Sequence, residues 1–168
     1  MADVILLLGG NEDGTRWALG QVYELLKQLP GEITASSGIY TSPPWGFSHP
    51  HWFLNQVVWL KTSYSPENLL AQTQRMEKDL GRKAKTKPGG YEARLIDIDI
   101  LFFDDRIIEQ PALTVPHPRL HLRRFTLLPL HELMPDWMHP VLKKTVRQLL
   151  RECPDDSDVR RIDQSFAP

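Results

Sequence analysis

The stretch ARLIDIDILFFDD, residues 93–105, alternates acidic and aliphatic side chains with a period of two, and this pattern limits the possible folds more than any other in the chain. Side chains of a β-strand alternate faces, so Ile96, Ile98 and Ile100 share one face while Asp97 and Asp99 share the other. The isoleucine face belongs inside, which makes the segment a half-buried strand. The acidic face has two readings. Either it is a solvated surface that carries two acids, or two carboxylates that repel when ionised are held together by a divalent cation such as Mg²⁺.

The elements around this strand set its context. DVILLL has the apolar run of a buried strand, and GGNEDG after it is turn chemistry with three glycines. Val22, Leu25, Leu26 and Leu29 then have amphipathic helix spacing, stopped by Pro30-Gly31. EITASSGIYTS and FLNQVVWLKT are expected as strands, joined by the loop PPWGFSHPH. Ser65-Pro66 predicts a helix start, and Leu69, Leu70, Met76 and Leu80 its inward face, with the end at Gly81. RKAKTKPGGY has no residue suited to a core and is expected to be an exposed, mobile, basic loop. Past the acidic strand, a short strand is expected around Ile107-Ile108, then helices in RRFTLLPLHELM, interrupted at Pro129, and in TVRQLLREC. The tail, residues 154–168, is polar and expected to be flexible. Strand, helix, strand, strand, helix, strand is the split βαβ order of an α+β fold, an antiparallel sheet with helices packed on it.

Composition narrows the function classes. With 168 residues, 41% of them hydrophobic and 24% charged, the chain is expected to form a single domain over 1–168. A net charge of −1 lacks the basic footprint of a protein that grips nucleic acid. Cys153 is the only cysteine, so no intramolecular disulfide can form, which agrees with a reducing cytoplasm. VILLL is too short for a signal peptide or a membrane span.

Three further patches carry chemistry. Arg82, Lys83, Lys85, Lys87 and Arg94 lie next in sequence to the acid pair, and phosphoryl transfer needs such cations beside Mg²⁺ to neutralise phosphate oxygens. Taken alone, that loop is a solvated linker. SPPWGFSHPHWFLN crowds Pro43, Pro44, Trp45, Phe47, Trp52 and Phe53 before Asn55, and flat rings with one amide at the edge suit a planar heterocycle as well as they suit a core. LTVPHPRLHLRRF offers His117, Arg119, His121, Arg123 and Arg124 around a proline turn.

SPPWG, FLN, TQRMEKDLGR, RLIDIDILFF and LTVPHPRLHLRRF occur in the order and spacing of one family. Over roughly residues 4–137 the chain resembles the hydroxymethyl-dihydropterin pyrophosphokinases of folate biosynthesis. The resemblance implies a ferredoxin-like sandwich, a monomer, and transfer of pyrophosphate from ATP to the hydroxyl of 6-hydroxymethyl-7,8-dihydropterin with release of AMP. It implies two Mg²⁺ ions on Asp97 and Asp99, with Arg82 and Arg94 as phosphate-clamping catalytic residues. Gln74, Lys85, Ile100, His117 and Arg123 look like further ATP contacts, with Glu77 on the same side. Gly9, Ser42, Pro43, Trp45, Phe53, Asn55, Tyr91 and Phe125 look like the pterin pocket. Residues 83–93 are expected to act as a lid. ATP and the reduced pterin are the expected partners, with no nucleic acid and no membrane.

Two rivals share parts of this pattern. An RNA-recognition module has the same order of elements, but the basic-Gly-aromatic signature is absent. A zinc hydrolase pattern begins at His131-Glu132, but Pro135 stands where the second histidine is required.

Overall fold

The computed structural model describes residues 1–43, 52–81 and 95–163. In chain order the elements are β1 (Ala2–Gly10), α1 (Thr15–Leu26), β2 (Gly31–Ser36), β3 (Ile39–Ser42), β4 (Phe53–Thr62), α2 (Pro66–Leu80), β5 (Asp97–Phe103), β6 (Ile108–Glu109), β7 (Thr114–Val115), a 3₁₀ turn (Leu120–Leu122), α3 (Arg124–Leu133), α4 (Val146–Glu152) and β8 (Arg160–Asp163). The main sheet has the order β5-β1-β4-β3-β8, with β2 also on β4, and every pairing in it is antiparallel. Since β2 and β3 lie end to end along β4, they serve together as one strand, and the split βαβ order of the ferredoxin-like fold results.

Residues 32–42, expected as one strand, are broken at Ser37-Gly38 by a side chain that competes for the ladder. The Ser37 hydroxyl accepts from the Val57 N–H at 2.9 Å, and the Ser37 carbonyl accepts from Gln56 Nε2 at 2.8 Å. Ser65 caps α2 as expected, its Oγ accepting the Asn68 N–H at 3.2 Å, and Pro66 occupies the first turn.

Each sheet face has its own apolar layer. Val4, Leu6 and Leu8 of β1 join Ile98 and Ile100 of β5 under Leu19 and Val22 of α1 and Leu69 and Met76 of α2. Ile5, Leu7, Val57, Leu101 and Phe102 face the other way and are covered by Leu127 and Leu130 of α3 and Val146 and Leu149 of α4. β5 contributes consecutive residues to this second layer because its register with β1 shifts between Ile5↔Phe102 and Leu6↔Ile100, leaving Leu101 as the extra residue of a bulge.

Two expectations are corrected. α3 runs through Pro129 without interruption: the ring is buried and removes one main-chain donor, while the apolar residues on either side still pack on the sheet. The polar segment after Pro154 is not frayed throughout, because Arg160–Asp163 pairs with β3. Asp155 anchors the approach to that strand, accepting the Arg124 N–H at 3.0 Å, and Arg161 approaches Glu132 of α3 at 3.5 Å.

Candidate active site

The alternation of β5 becomes a site through cross-strand register. Asp97 pairs with Gly9, Gly9 with Asn55, and Asn55 with Tyr40, so these four residues form one row across β5, β1, β4 and β3. One step along, Asp99 pairs with Leu7, and Leu7 with Val57. Leu7 and Val57 belong to the layer under α3 and α4, which places Asp97 and Asp99 on that face. Ser42 pairs with Phe53 at the other side of the row. Asp97 and Asn55 are thus two strand spacings apart, roughly 10 Å, with only a glycine between them.

That glycine is required by its neighbour. A Cβ built on Gly9 would overlap Asn55 Oδ1, so the amide lies over the bare backbone of β1. Asn55 is 4% exposed, and its Nδ2 has no hydrogen-bond partner among the described residues. A buried donor in that condition costs free energy until an acceptor arrives.

The entry into β5 is fixed from two sides. Leu95 packs so closely on Gly81 that a side chain there would collide with it, and the Leu95 carbonyl accepts from the Thr15 hydroxyl at 2.8 Å. Glu77 is buried, and its Oε2 accepts the Ile98 N–H at 3.1 Å between the two aspartates. It therefore serves the edge of β5, the strand that ends the sheet among the described residues. Gln74 lies one helical turn before it and is exposed.

His117 reaches the acids through the bulge. Its N–H donates to the Leu101 carbonyl at 3.0 Å, and its Nε2 lies 3.9 Å from Asp99 Oδ2. Nδ1 accepts the Arg119 N–H at 3.1 Å, so the neutral ring carries its proton on Nε2, toward the acids. Burial, reinforced by Arg123 and Arg119 and opposed by Asp97, pushes its pKa down to about 4. The Arg123 guanidinium stands 5.5 Å from the Phe125 ring centre, the two residues flanking the start of α3. The Ile100 side chain faces the α1/α2 layer, away from the acids, so it can meet a ligand only through its main chain.

Ser42, Pro43, Phe53, Asn55 and Gly9 therefore gather with Asp97 and Asp99 at one end of the sheet. Trp45, Arg82, Lys85, Tyr91, Arg94 and the 83–93 segment lie outside the described residues. Two residues that sequence reasoning passed over belong here as well. Tyr40 is in the Asn55 row, and its hydroxyl donates to Glu132 Oε1 at 2.8 Å. Tyr40 sits at strand spacing from Ser42, which was a legible signal; nothing in the sequence pairs it with Glu132.

Asp97 and Asp99 suit Mg²⁺, a hard cation commonly held by one or two carboxylates together with substrate phosphates and water. Among the described residues no three His, Cys, Asp or Glu side chains cluster in a way that could hold a metal ion, so phosphate or water oxygens would complete its shell. No helix among the described residues is long and apolar enough to cross a membrane.

Residues 5–135 match the family described as 7,8-dihydro-6-hydroxymethylpterin-pyrophosphokinase (HPPK). The chain is 40% identical over 141 residues to the 2-amino-4-hydroxy-6-hydroxymethyldihydropteridine pyrophosphokinase of Porphyromonas gingivalis, covering 83% of this chain and 95% of the relative. It is 40% identical over 153 residues to the enzyme of that name from Aquifex aeolicus, covering 90% and 92%. The fold matches a Plasmodium falciparum HPPK-DHPS structure at a TM-score of 0.71 and 18% identity, covering 90% of this chain and 43% of that one. The chain thus spans less than half of that larger protein.

Proposed function

The chain belongs to the 7,8-dihydro-6-hydroxymethylpterin-pyrophosphokinase family, and from that premise we infer that its acidic sheet face transfers pyrophosphate from ATP to 6-hydroxymethyl-7,8-dihydropterin, releasing AMP, in folate biosynthesis. One observation carries the reading of the site: two carboxylates on a strand face stand one glycine's width from a buried amide that lacks an acceptor among the described residues. The acids suit the phosphate end of the reaction and the amide suits the heterocycle. The spacing of roughly 10 Å leaves room for the hydroxymethyl arm between them.

In this mechanism Asn55 pairs with the pterin ring edge while Phe53 and Phe125 cover its faces, and Ser42, Pro43, Trp45, Tyr91 and Gly9 close the pocket. Asp97 and Asp99 would hold two Mg²⁺ ions, which when bound would supply neutralisation of phosphate oxygens and a lowered proton affinity for the attacking hydroxyl. Arg82 and Arg94 clamp the phosphates in the planar, bidentate manner of guanidinium groups, with Lys85 beside them. His117 donates from Nε2 on the ATP side without adding charge, and Arg123 supplies charge next to it. Gln74 and the main chain of Ile100 face the nucleotide along the edge of β5. The protein acts as a cytoplasmic monomer on small molecules, a state that sedimentation can check.

The decisive assay combines protein, Mg²⁺, ATP and the reduced pterin alcohol and identifies the nucleotide product. Attack at the β-phosphorus yields AMP. Pterin-dependent ADP without AMP would rule the reading out.

A further inference from the structure

Within this reading, we propose that Tyr40, locked by Glu132, is a positioning residue that holds the Asn55 amide in its pterin-binding pose. Tyr40 and Asn55 are directly opposed on β3 and β4, so their side chains lie on the same face. The Tyr40 ring thus borders Asn55 on one side, while on the other Gly9 leaves open space into which the amide leans. Asn55 is buried and makes no Nδ2 hydrogen bond among the described residues, so nothing polar there sets the direction of that prong. Packing must do it.

The ring can serve as a wall only if it is itself held. Tyr40 is 8% exposed, and its hydroxyl donates to Glu132 Oε1 at 2.8 Å. Both Glu132 oxygens also take the Gly38 N–H, at 3.1 and 3.3 Å, and Arg161 Nη1 stands 3.5 Å from Oε1. One carboxylate therefore ties β3, α3 and β8 together. Burial, then the Glu132 bond, raises the Tyr40 pKa to about 12, so the hydroxyl remains a donor at any working pH. This gives the β8 strand a functional role, since Arg161 supplies the positive charge beside the carboxylate that fixes the ring.

The test is a double-mutant cycle of Tyr40→Phe and Asn55→Ala, read by direct binding of the pterin and, separately, of ATP. Tyr40→Phe keeps the ring and removes only the bond to Glu132. If Tyr40 acts through Asn55, Tyr40→Phe weakens pterin binding roughly tenfold in the wild-type background, leaves ATP binding unchanged, and adds nothing once Asn55 is alanine. Glu132→Gln, made with Tyr40 intact, keeps an acceptor for the hydroxyl and should retain most of the wild-type pterin affinity. Independent, additive losses overturn the proposal, as does an equal loss of ATP binding, which would mark a general structural role. If the wild-type protein binds no pterin at all, the functional reading itself falls and this inference falls with it.

Discussion

The side-chain oxygen of Asn55 occupies the space that a Cβ on Gly9 would need. Gly9→Ala must therefore push the amide aside or strain the sheet, an overpacking cost of about 1–3 kcal/mol. The expected outcome is a raised KM for the pterin, a nearly unchanged KM for ATP, and a lowered denaturation midpoint. Steady-state kinetics and urea unfolding check it, and unchanged values in both would mean that the sheet yields freely there.

Asp97→Asn and Asp99→Asn should each abolish turnover while Tm holds or rises. Each change keeps the side-chain shape and removes one of two neighbouring negative charges that are part-exposed at the end of the sheet face covered by α3 and α4. Chelation with EDTA should have the same effect on the unaltered protein, reversed by added Mg²⁺. Near-normal activity of either variant in saturating Mg²⁺ would remove the metal assignment.

His117 presents a neutral donor at Nε2, because its Nδ1 is occupied by the Arg119 N–H, and in the proposed function that donor meets ATP. A glutamine amide can place an N–H group near the same point, whereas alanine cannot. His117→Gln should thus retain more ATP affinity than His117→Ala, with calorimetric titration as the measurement. Equal losses would assign the residue to packing of the proline turn.

His139 supplies a pH dependence of stability that does not involve the acidic site. Its Nδ1 accepts the N–H groups of Val141 and Leu142 at 3.2 and 3.0 Å, and its ring packs edge-on against Phe102 and near His121. Burial, then His121, pushes its pKa down to about 4. The unfolded chain takes up a proton near pH 6.5, so between about 6.5 and 4 the unfolded state binds more protons than the folded one. Stability should fall as pH drops through that window, by at most about 1.4 kcal/mol per pH unit from this group, and show no contribution above it. His117 adds in the same direction, so the comparison is with His139→Asn, whose oxygen can accept the same N–H groups. Unfolding midpoints at pH 7 and pH 5 should converge in the variant relative to the wild type; an identical pH slope would show that His139 does not titrate in this way.

The sequence by itself determined the elements whose periodicity is local. The alternation of Ile96 to Ile100 specified a strand with an acidic face, Ser65-Pro66 specified where α2 begins, and the motif spacing specified the family and its chemistry. Side chains that replace main-chain partners are not periodic, and there the expectations failed: Ser37 breaks a strand, and Arg160–Asp163 completes a sheet from a polar tail. Tertiary structure alone decided which residues meet. Asp97, Gly9, Asn55 and Tyr40 are far apart in sequence and become one row only because antiparallel register opposes them, and the bulge at Leu101 is what brings His117 to Asp99. Register is set by the summed burial of both apolar layers, since a slip of one residue would expose every inward side chain at once. That sum is a property of the whole sheet, and no single stretch of sequence contains it.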